Sequence, residues 1–337
     1  MTPVRVGTRG SALARAQTSL VTDAIVELGS KVETVEIVTH GDRSTAALTQ
    51  IGGTGVFVSA LRSALLADAV DIAVHSLKDL PTAPAGGLTV GAIPVREDPR
   101  DVLVARDGLT LAELPAGSLV GTGSPRRAAQ LRALGLGLEV VDVRGNVDSR
   151  LKLVANGQVD AVVLARAGLS RLGLAGEATE LLDPLLMLPC PGQGALAVEC
   201  RSDDLGILSA LELLDDPHTR AAVTAERALL ARLEAGCSAP VGALAEVVEG
   251  EDGDELSLRA VVAAVDGSGD LRRSATAPLP GAPPDPGTAT AAWTLETTQA
   301  AEALGRALAE HMLSDGAAEL MPVPAAMSGL PAGEGDQ

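Results

Sequence analysis

Aromatic side chains are almost missing from this chain of 337 residues: Phe57 and Trp293 stand alone, and tyrosine is absent. The cores must therefore be aliphatic, and the stacking platforms that hold single-stranded nucleic acid have nothing to be built from. Positive charge is scarce as well. Lysine and arginine total 26 against 44 acidic residues, a net charge of −18 that repels polyanions at long range. DNA, RNA and anionic membranes are poor partners for such a surface. No apolar run approaches the roughly 18 residues of a membrane-spanning helix. The N-terminus passes directly into the strand-like Val4-Arg5-Val6 without a signal-peptide pattern, so a cytoplasmic protein is expected. Cysteine is limited to Cys190, Cys200 and Cys237, odd in number and widely spaced. They fit neither a disulfide framework nor a CxxC metal knuckle, and no metal is expected.

What is present is an alternation of short β-branched runs with amphipathic helices, which argues for an α/β protein with largely parallel sheets. Val4 to Gly7 precedes a helix whose Leu13, Ala16, Leu20, Ala24 and Leu28 recur at three and four residues, and Val32 to Val38 follows as a strand. Residues 57 to 67 read as a helix and Asp71 to Val74 as a buried strand. A second α/β set starts near Asp101 and runs through Leu119-Val120, a helix over 125–134, Leu138 to Val141, a helix over 147–156 and Ala161 to Leu164. Pro94 to Arg100 and Leu188 to Gly194 punctuate these units as paired crossings. If Ala195 to Cys200 returns to the first sheet, two lobes face each other across a cleft.

The expected domains are therefore 1–94 with 195–214, then 95–194, then a small α+β third domain over 215–314. The last begins with a long helix and continues with strands near 243–248, 256–265 and 271–276 and a helix near 294–312. Residues 315–337, with four acids and no basic residue, are expected to be a disordered acidic tail.

The sparse positive charge is concentrated. Residues 121–175 hold eight basic side chains against four acidic ones, a net +4 that leaves −22 for the rest of the chain. In open α/β sheets ligands sit beyond the carboxyl ends of the strands, and the distinctive loops fall there: Thr8-Arg9-Gly10-Ser11, Lys78-Asp79, Thr122 to Arg127 and Arg144-Gly145-Asn146. Ser124 before Pro125 and Asn146 before Val147 read as helix N-caps, whose free N–H groups favour anions. Arginine adds a planar fork that matches a carboxylate at two points. With no GxxxxGK[ST] or GxGxxG present, a compact carboxylate fits better than a nucleotide. The plainer alternative for each arginine is a surface pair with a nearby acid.

Two further residues invite chemistry. Cys237 follows a helix containing Ala225-Glu226-Arg227-Ala228-Leu229-Leu230, with Gly236 as its expected left-handed C-cap, which leaves the thiol on a loop as a soft nucleophile. The alternative is a small buried hydrophobe, the reading taken for Cys190 and Cys200. Asp79, just past a buried strand, could stabilise a cation or accept N–H bonds in a cleft, or simply cap a turn beside Lys78. His75 reads as a satisfied core histidine.

Taken together and in order, Val6 to Ala14 (VGTRGSALA), Ile51 to Val58 (IGGTGVFV), Ala73 to Pro81 (AVHSLKDLP), Gly121 to Arg127 (GTGSPRR), Arg144 to Leu151 (RGNVDSRL), Pro191 to Ala195 (PGQGA) and Glu234 to Cys237 (EAGC) resemble the motifs of the hydroxymethylbilane synthase, or porphobilinogen deaminase, family. The resemblance covers about residues 4–312. It implies two domains similar to type II periplasmic binding proteins plus a third, and a transferase that joins four porphobilinogen molecules head to tail with loss of ammonia. It further implies a dipyrromethane cofactor held covalently through Cys237, with hydroxymethylbilane released by hydrolysis.

By the same resemblance Asp79 is the catalytic carboxylate, while Lys78, Ser124, Arg126, Arg127 and Arg144 hold the cofactor. Arg9, Ser11, Arg150, Arg171 and Phe57 serve the substrate. Each pyrrole carries an acetate and a propionate, so a growing chain needs many fixed guanidinium groups, and loss of ammonia leaves an electron-poor azafulvenium that a carboxylate can stabilise. The pattern departs from the family where Gln50, Thr54 and Ser59 stand in place of lysines. A noncatalytic two-lobed anion-binding protein is the alternative, but it would have no use for Cys237. A monomer is expected.

Overall fold

The computed structural model describes residues 2–37, 55–235, 239–251, 253–281 and 291–321, with backbone only at 55–57 and 291–293. The first unit begins β1 (Val4–Thr8), α1 (Ala12–Glu27), β2 (Val32–Glu36), α2 (Gly55–Leu66), β3 (Ile72–Ser76) and β4 (Leu88–Ala92). A second unit contains β5 (Asp101–Ala105), β6 (Leu119–Gly121), α3 (Pro125–Ala133), β7 (Glu139–Val141), α4 (Val147–Ala155), β8 (Ala161–Ala165), α5 (Arg166–Arg171) and β9 (Glu180–Leu181). The chain then runs through β10 (Leu196–Arg201), α6 (Leu205–Leu211) and α7 (Pro217–Arg232). It continues with β11 (Val241–Glu249), β12 (Asp254–Ala263), β13 (Asp270–Pro278), α8 (Ala291–Ser314) and α9 (Ala317–Leu320).

Three sheets result, ordered β2-β1-β3-β10-β4, β7-β6-β8-β5-β9 and β11-β12-β13. The first two are mixed rather than largely parallel. β10 runs antiparallel to both β3 and β4, and β5 runs antiparallel to β8 and β9. The cause is topological: β5 and β10 are the strands that enter a sheet straight from a crossing, without the helical return that makes β1, β2 and β3 parallel. Each sheet has its own aliphatic core, with Val6, Ile72 and Val198 in the first, Leu103, Val120 and Val163 in the second, and Leu229, Leu258 and Leu308 in the third.

The face that α1 buries differs from the face its leucines trace. Leu20 and Leu28 are about half exposed, whereas Gln17, Thr18, Val21 and Ile25 face the sheet. Polar partners decide the matter: the Thr18 hydroxyl donates to Thr8 Oγ1 at 2.7 Å and Gln17 Nε2 donates to Ser76 Oγ at 2.8 Å, so the helix turns its hydroxyl and amide toward the ends of β1 and β3. His75 lies within the first sheet, its Nε2 3.2 Å from Glu199 Oε2, and Arg62 on α2 donates to both Glu199 oxygens. Burial works to raise the Glu199 carboxyl, but hydrogen bonds with His75 and Arg62 override it and hold the group below its ordinary range.

The crossings meet at Glu97 N–H, which donates to Gly194 O at 3.3 Å. Gly194 sits at φ +88°, where a Cβ would collide with the Glu97 carbonyl, so only glycine lets the two segments touch. Next to this contact, fully buried Glu226 on α7 accepts from Arg96 at 2.7 and 3.0 Å, from Gly192 N–H at 2.6 Å and from Ala245 N–H at 2.9 Å. One carboxylate thus ties both crossings to the third sheet. Glu226→Ala leaves Arg96 buried and uncompensated and is expected to destabilise the protein by about 3–5 kcal/mol. Urea unfolding measures it, and a loss under about 1 kcal/mol would place the pair among ordinary surface bridges.

Two expectations about the third unit change. The left-handed residue that ends α7 is Glu234, at φ +52°, with Ala235 N–H returning to Leu230 O at 3.2 Å, so the helix closes before Gly236, which lies outside the described residues. The chain also stays ordered past 315. Ala317 is fully buried, and Leu320 and Met321 pack against the third core, because α9 supplies apolar contacts that the acidic composition of the tail as a whole concealed. Residues 322–337 lie outside the described residues.

Candidate active site

The loops beyond β1, β3, β6 and β7 carry most of the expected residues, and local chemistry explains how several are held. Ser11 is the N-cap of α1, its hydroxyl accepting from Ala14 N–H at 3.2 Å. Ser124 and Asn146 cap α3 and α4, with Pro125 in the first turn of α3. Lys78 and Asp79, both partly buried, lie on a single helical turn over Leu77–Asp79.

At the centre stands Asp101, the wholly buried first residue of β5. Arg126 Nη2 donates to its Oδ2 at 2.7 Å, and Arg127 Nη2 and Gln193 Nε2 both donate to its Oδ1 at 2.7 Å. Burial works to raise this carboxyl, yet the two arginines override it and hold it well below the usual carboxylate range. The remaining Nη groups are taken too, Arg126 by Leu188 O and Arg127 by Val163 O at 3.0 Å. The two forks expected to grip a ligand carboxylate at two points are therefore bound to the protein's own aspartate. Among the donors that Arg126 and Arg127 have left is an Nε–H on each, buried and without a partner among the described residues.

The network extends outward from Asp101. Gln193 Oε1 accepts from Lys78 Nζ at 3.3 Å and lies 3.4 Å from Arg127 Nη2. Burial lowers the Lys78 ammonium and Arg127 adds to the effect, while Asp79, Cys190 and Asp101 oppose it. Burial lowers Arg150 likewise, with Arg127 and Arg144 pressing in the same direction against Asp142. Arg171 is lowered by burial, with Glu97 opposing, and its Nη2 donates to Gly194 O at 2.6 Å. The Nε atoms of Arg150 and Arg171 are also buried without a partner among the described residues. Guanidinium groups that burial disfavours, at Arg150 with like charge besides, and whose N–H groups are unmet, are the arrangement an incoming anion relieves.

None of the other expected residues takes part in these bonds to Asp101 and Gln193. Arg144 is half exposed and bonded to Asp142 at 3.0 Å, so the plainer surface-pair reading describes it here. Arg9 is partly buried in the loop after β1. Cys237, Thr54, Gln50 and the Phe57 side chain lie outside the described residues, whereas Ser59 is exposed on α2. Buried Cys200 has its thiol pushed up to about 11 by desolvation, which keeps it an inert hydrophobe. Cys190 is only half buried rather than sunk in a core.

Sequence reasoning assigned no role to Asp101, Gln193, Glu226 or Arg227. Asp101 did carry a signal, an acid heading the apolar run Val102-Leu103-Val104-Ala105, and Gln193 carried another, a polar residue between two glycines. Both glycines have positive φ, and they let Gln193 point at Asp101.

Comparisons with known proteins point one way. The sequence matches "Porphobilinogen deaminase, dipyromethane cofactor binding domain" over residues 4–209 and "Porphobilinogen deaminase, C-terminal domain" over residues 220–314. It is 58% identical over 325 residues to the porphobilinogen deaminase of Nocardia farcinica, covering 95% of this chain and 88% of that one. With the Mycobacterium tuberculosis protein of the same name it shares 62% over 276 residues, covering 80% and 89%, and with that of Mycobacterium leprae 55% over 323 residues, covering 94% and 96%. Among solved structures it is similar to a methionine binding protein, with TM-score 0.40 and 14% identity over 62% of this chain and 87% of that one. A periplasmic substrate-binding protein from Coxiella burnetii gives TM-score 0.39 and 16% identity over 62% and 89%.

Proposed function

The chain belongs to the porphobilinogen deaminase family, and from that premise we propose that Asp79, Lys78 and the arginines around Asp101 form its active site. The protein is a transferase that joins porphobilinogen units, with release of ammonia, into the linear tetrapyrrole hydroxymethylbilane. Family membership sets aside the noncatalytic anion-binding alternative.

The dipyrromethane cofactor fits the residues present. Four acidic side arms on two pyrrole rings need fixed donors, which Arg126, Arg127, Arg144 and Ser124 supply, while the buried Nε–H groups of Arg150 and Arg171 serve the carboxylates of the substrate. Those unmet donors are the observation that carries the site assignment. When bound through Cys237, the cofactor would supply the carbon nucleophile for the first porphobilinogen, each later unit joining the ring before it. Lys78, held by Gln193, gives a further positive point for its carboxylates. Arg9, Ser11 and Phe57 join the substrate side.

Asp79 accepts the pyrrole N–H and, as the ammonia leaves, opposes with its negative charge the cation that develops on the ring. Because Asp101 already neutralises the forks of Arg126 and Arg127, the site keeps a limited positive surplus, suited to carboxylates that must slide past as the chain grows. The three sheets with their helices act as domains, 1–94 with 195–214, then 95–194, then a third from 215 extended to 321.

A monomeric, cytoplasmic enzyme with no nucleic acid or membrane partner completes the reading. It is supported by the net charge of −18 and, among the described residues, by the lack of any helix long and apolar enough to cross a membrane. The test is the intact mass of the purified protein under denaturing conditions. An excess equal to two porphobilinogens less two ammonias, on the peptide holding Cys237, is expected. An unmodified mass that stays unmodified after incubation with porphobilinogen overturns the assignment.

A further inference from the structure

The turn that carries Asp79 is held from outside its own unit. Arg227, on α7, donates through Nη1 to Leu80 O at 2.9 Å and to Leu77 O at 3.4 Å, and through Nη2 to Pro81 O at 2.7 Å. One guanidinium thereby gathers three carbonyls that bracket Asp79 on both sides. The Leu77 carbonyl also accepts from Leu80 N–H at 3.1 Å and so closes the turn, and the guanidinium caps the end of that turn, where a cation is favoured by the local dipole. One helical turn earlier on the same face of α7, Val223 shares a buried cluster with Leu77 and Leu80. The opposite side of the turn is fixed as well. Leu77 N–H donates to Ala195 O at 3.0 Å, and Gly192 approaches so closely that a Cβ there would lie 3.3 Å from Lys78 N.

The neighbouring α7 residue, Glu226, binds the crossings, so consecutive side chains of one helix reach the hinge and the Asp79 turn. We infer that Arg227 is a positioning residue for Asp79, fixing the carboxylate from the domain that also bears Cys237. The inference rests on Asp79 being the catalytic carboxylate. Without the guanidinium, the Leu80 and Pro81 carbonyls turn toward water, the Leu77 carbonyl keeps only its bond from Leu80 N–H, the turn relaxes and Asp79 leaves the distance at which it meets the reacting ring. Misplacement by about 1 Å is enough to cost on the order of a hundredfold in rate.

The test uses the full-length enzyme as Arg227→Met, which keeps the stem and loses the fork, and Arg227→Lys, which keeps the charge and part of the bonding. Hydrogen exchange at the Leu77 and Leu80 amides is expected to quicken by at least about tenfold in the methionine variant, with kcat down by on the order of 10²-fold and KM within about twofold. The lysine variant recovers part of both changes. Exchange that is unchanged overturns the inference. So does faster exchange at undiminished kcat, which would mean that the turn relaxes without effect on the chemistry. If only the lysine variant folds, the same two readouts decide from it; if neither folds, Arg227 serves stability and the inference fails. Whether Asp79 is itself catalytic is read from its own substitution, so the two readings fail separately.

Discussion

Asp79→Ala is expected to fold normally and to consume porphobilinogen at least about a hundredfold more slowly than the unaltered enzyme. The bonds that hold the turn, from Leu77 N–H to Ala195 O, from Leu80 N–H to Leu77 O and from Arg227 to three carbonyls, are all made by backbone atoms or by another residue. None of them uses the Asp79 carboxylate. Its removal therefore takes charge from the site without unfastening the loop. What is lost is the negative group that accepts the pyrrole N–H and offsets the cation formed as ammonia departs. The arginines remain, so binding of the carboxylate side arms should survive and KM should change less than kcat. Rate measurements with a thermal midpoint as the control for folding decide the matter. Undiminished product formation removes Asp79 from the mechanism and moves attention to Lys78.

Cys237→Ser should abolish covalent attachment, with turnover falling below about a thousandth of the starting value as the nucleophile is lost. A hydroxyl ionises far less readily than a thiol and is a poorer nucleophile toward an electron-poor pyrrole methylene, so the linking bond is not made. The other two cysteines do not substitute. Cys200 is buried in the first sheet with its thiol pushed up to about 11 by burial, and Cys190 lies within the second crossing, near Lys78. The variant should still bind anionic pyrroles weakly through Arg150 and Arg171, which separates loss of attachment from loss of the site. Mass spectrometry of the Cys237 peptide together with a turnover assay reads both. A fully active serine variant would show that attachment at this position is dispensable.

Local signals in the chain were sufficient for most elements. Ser124-Pro125 and Asn146 marked the starts of α3 and α4, and the structure finds both capping their helices. Capping depends on a side chain and an N–H three residues away, so sequence proximity guarantees the contact. The strand-end loops were legible for a similar reason, because each follows its strand directly. Where competition ranged over longer distances the reading failed. The buried face of α1 was set by Thr8 and Ser76, the latter 59 residues from its partner Gln17. Strand direction in the two larger sheets depended on which strand follows a crossing.

By itself, then, the sequence determined the aliphatic cores, the acidic balance of charge, the three-part order of elements and the family motifs from which a carboxylate-binding site is proposed. Composition and short-range periodicity act through the chain's own neighbours. Only the tertiary structure decided how the charges are distributed among partners. Asp101, 25 and 26 residues from Arg126 and Arg127, occupies an Nη of each fork and leaves their Nε–H groups without a protein partner among the described residues. Arg227, about 150 residues from Leu77, holds the turn that carries Asp79. Electrostatic pairing in a buried site follows distance in space, and folding sets that distance by bringing together segments that no local pattern connects.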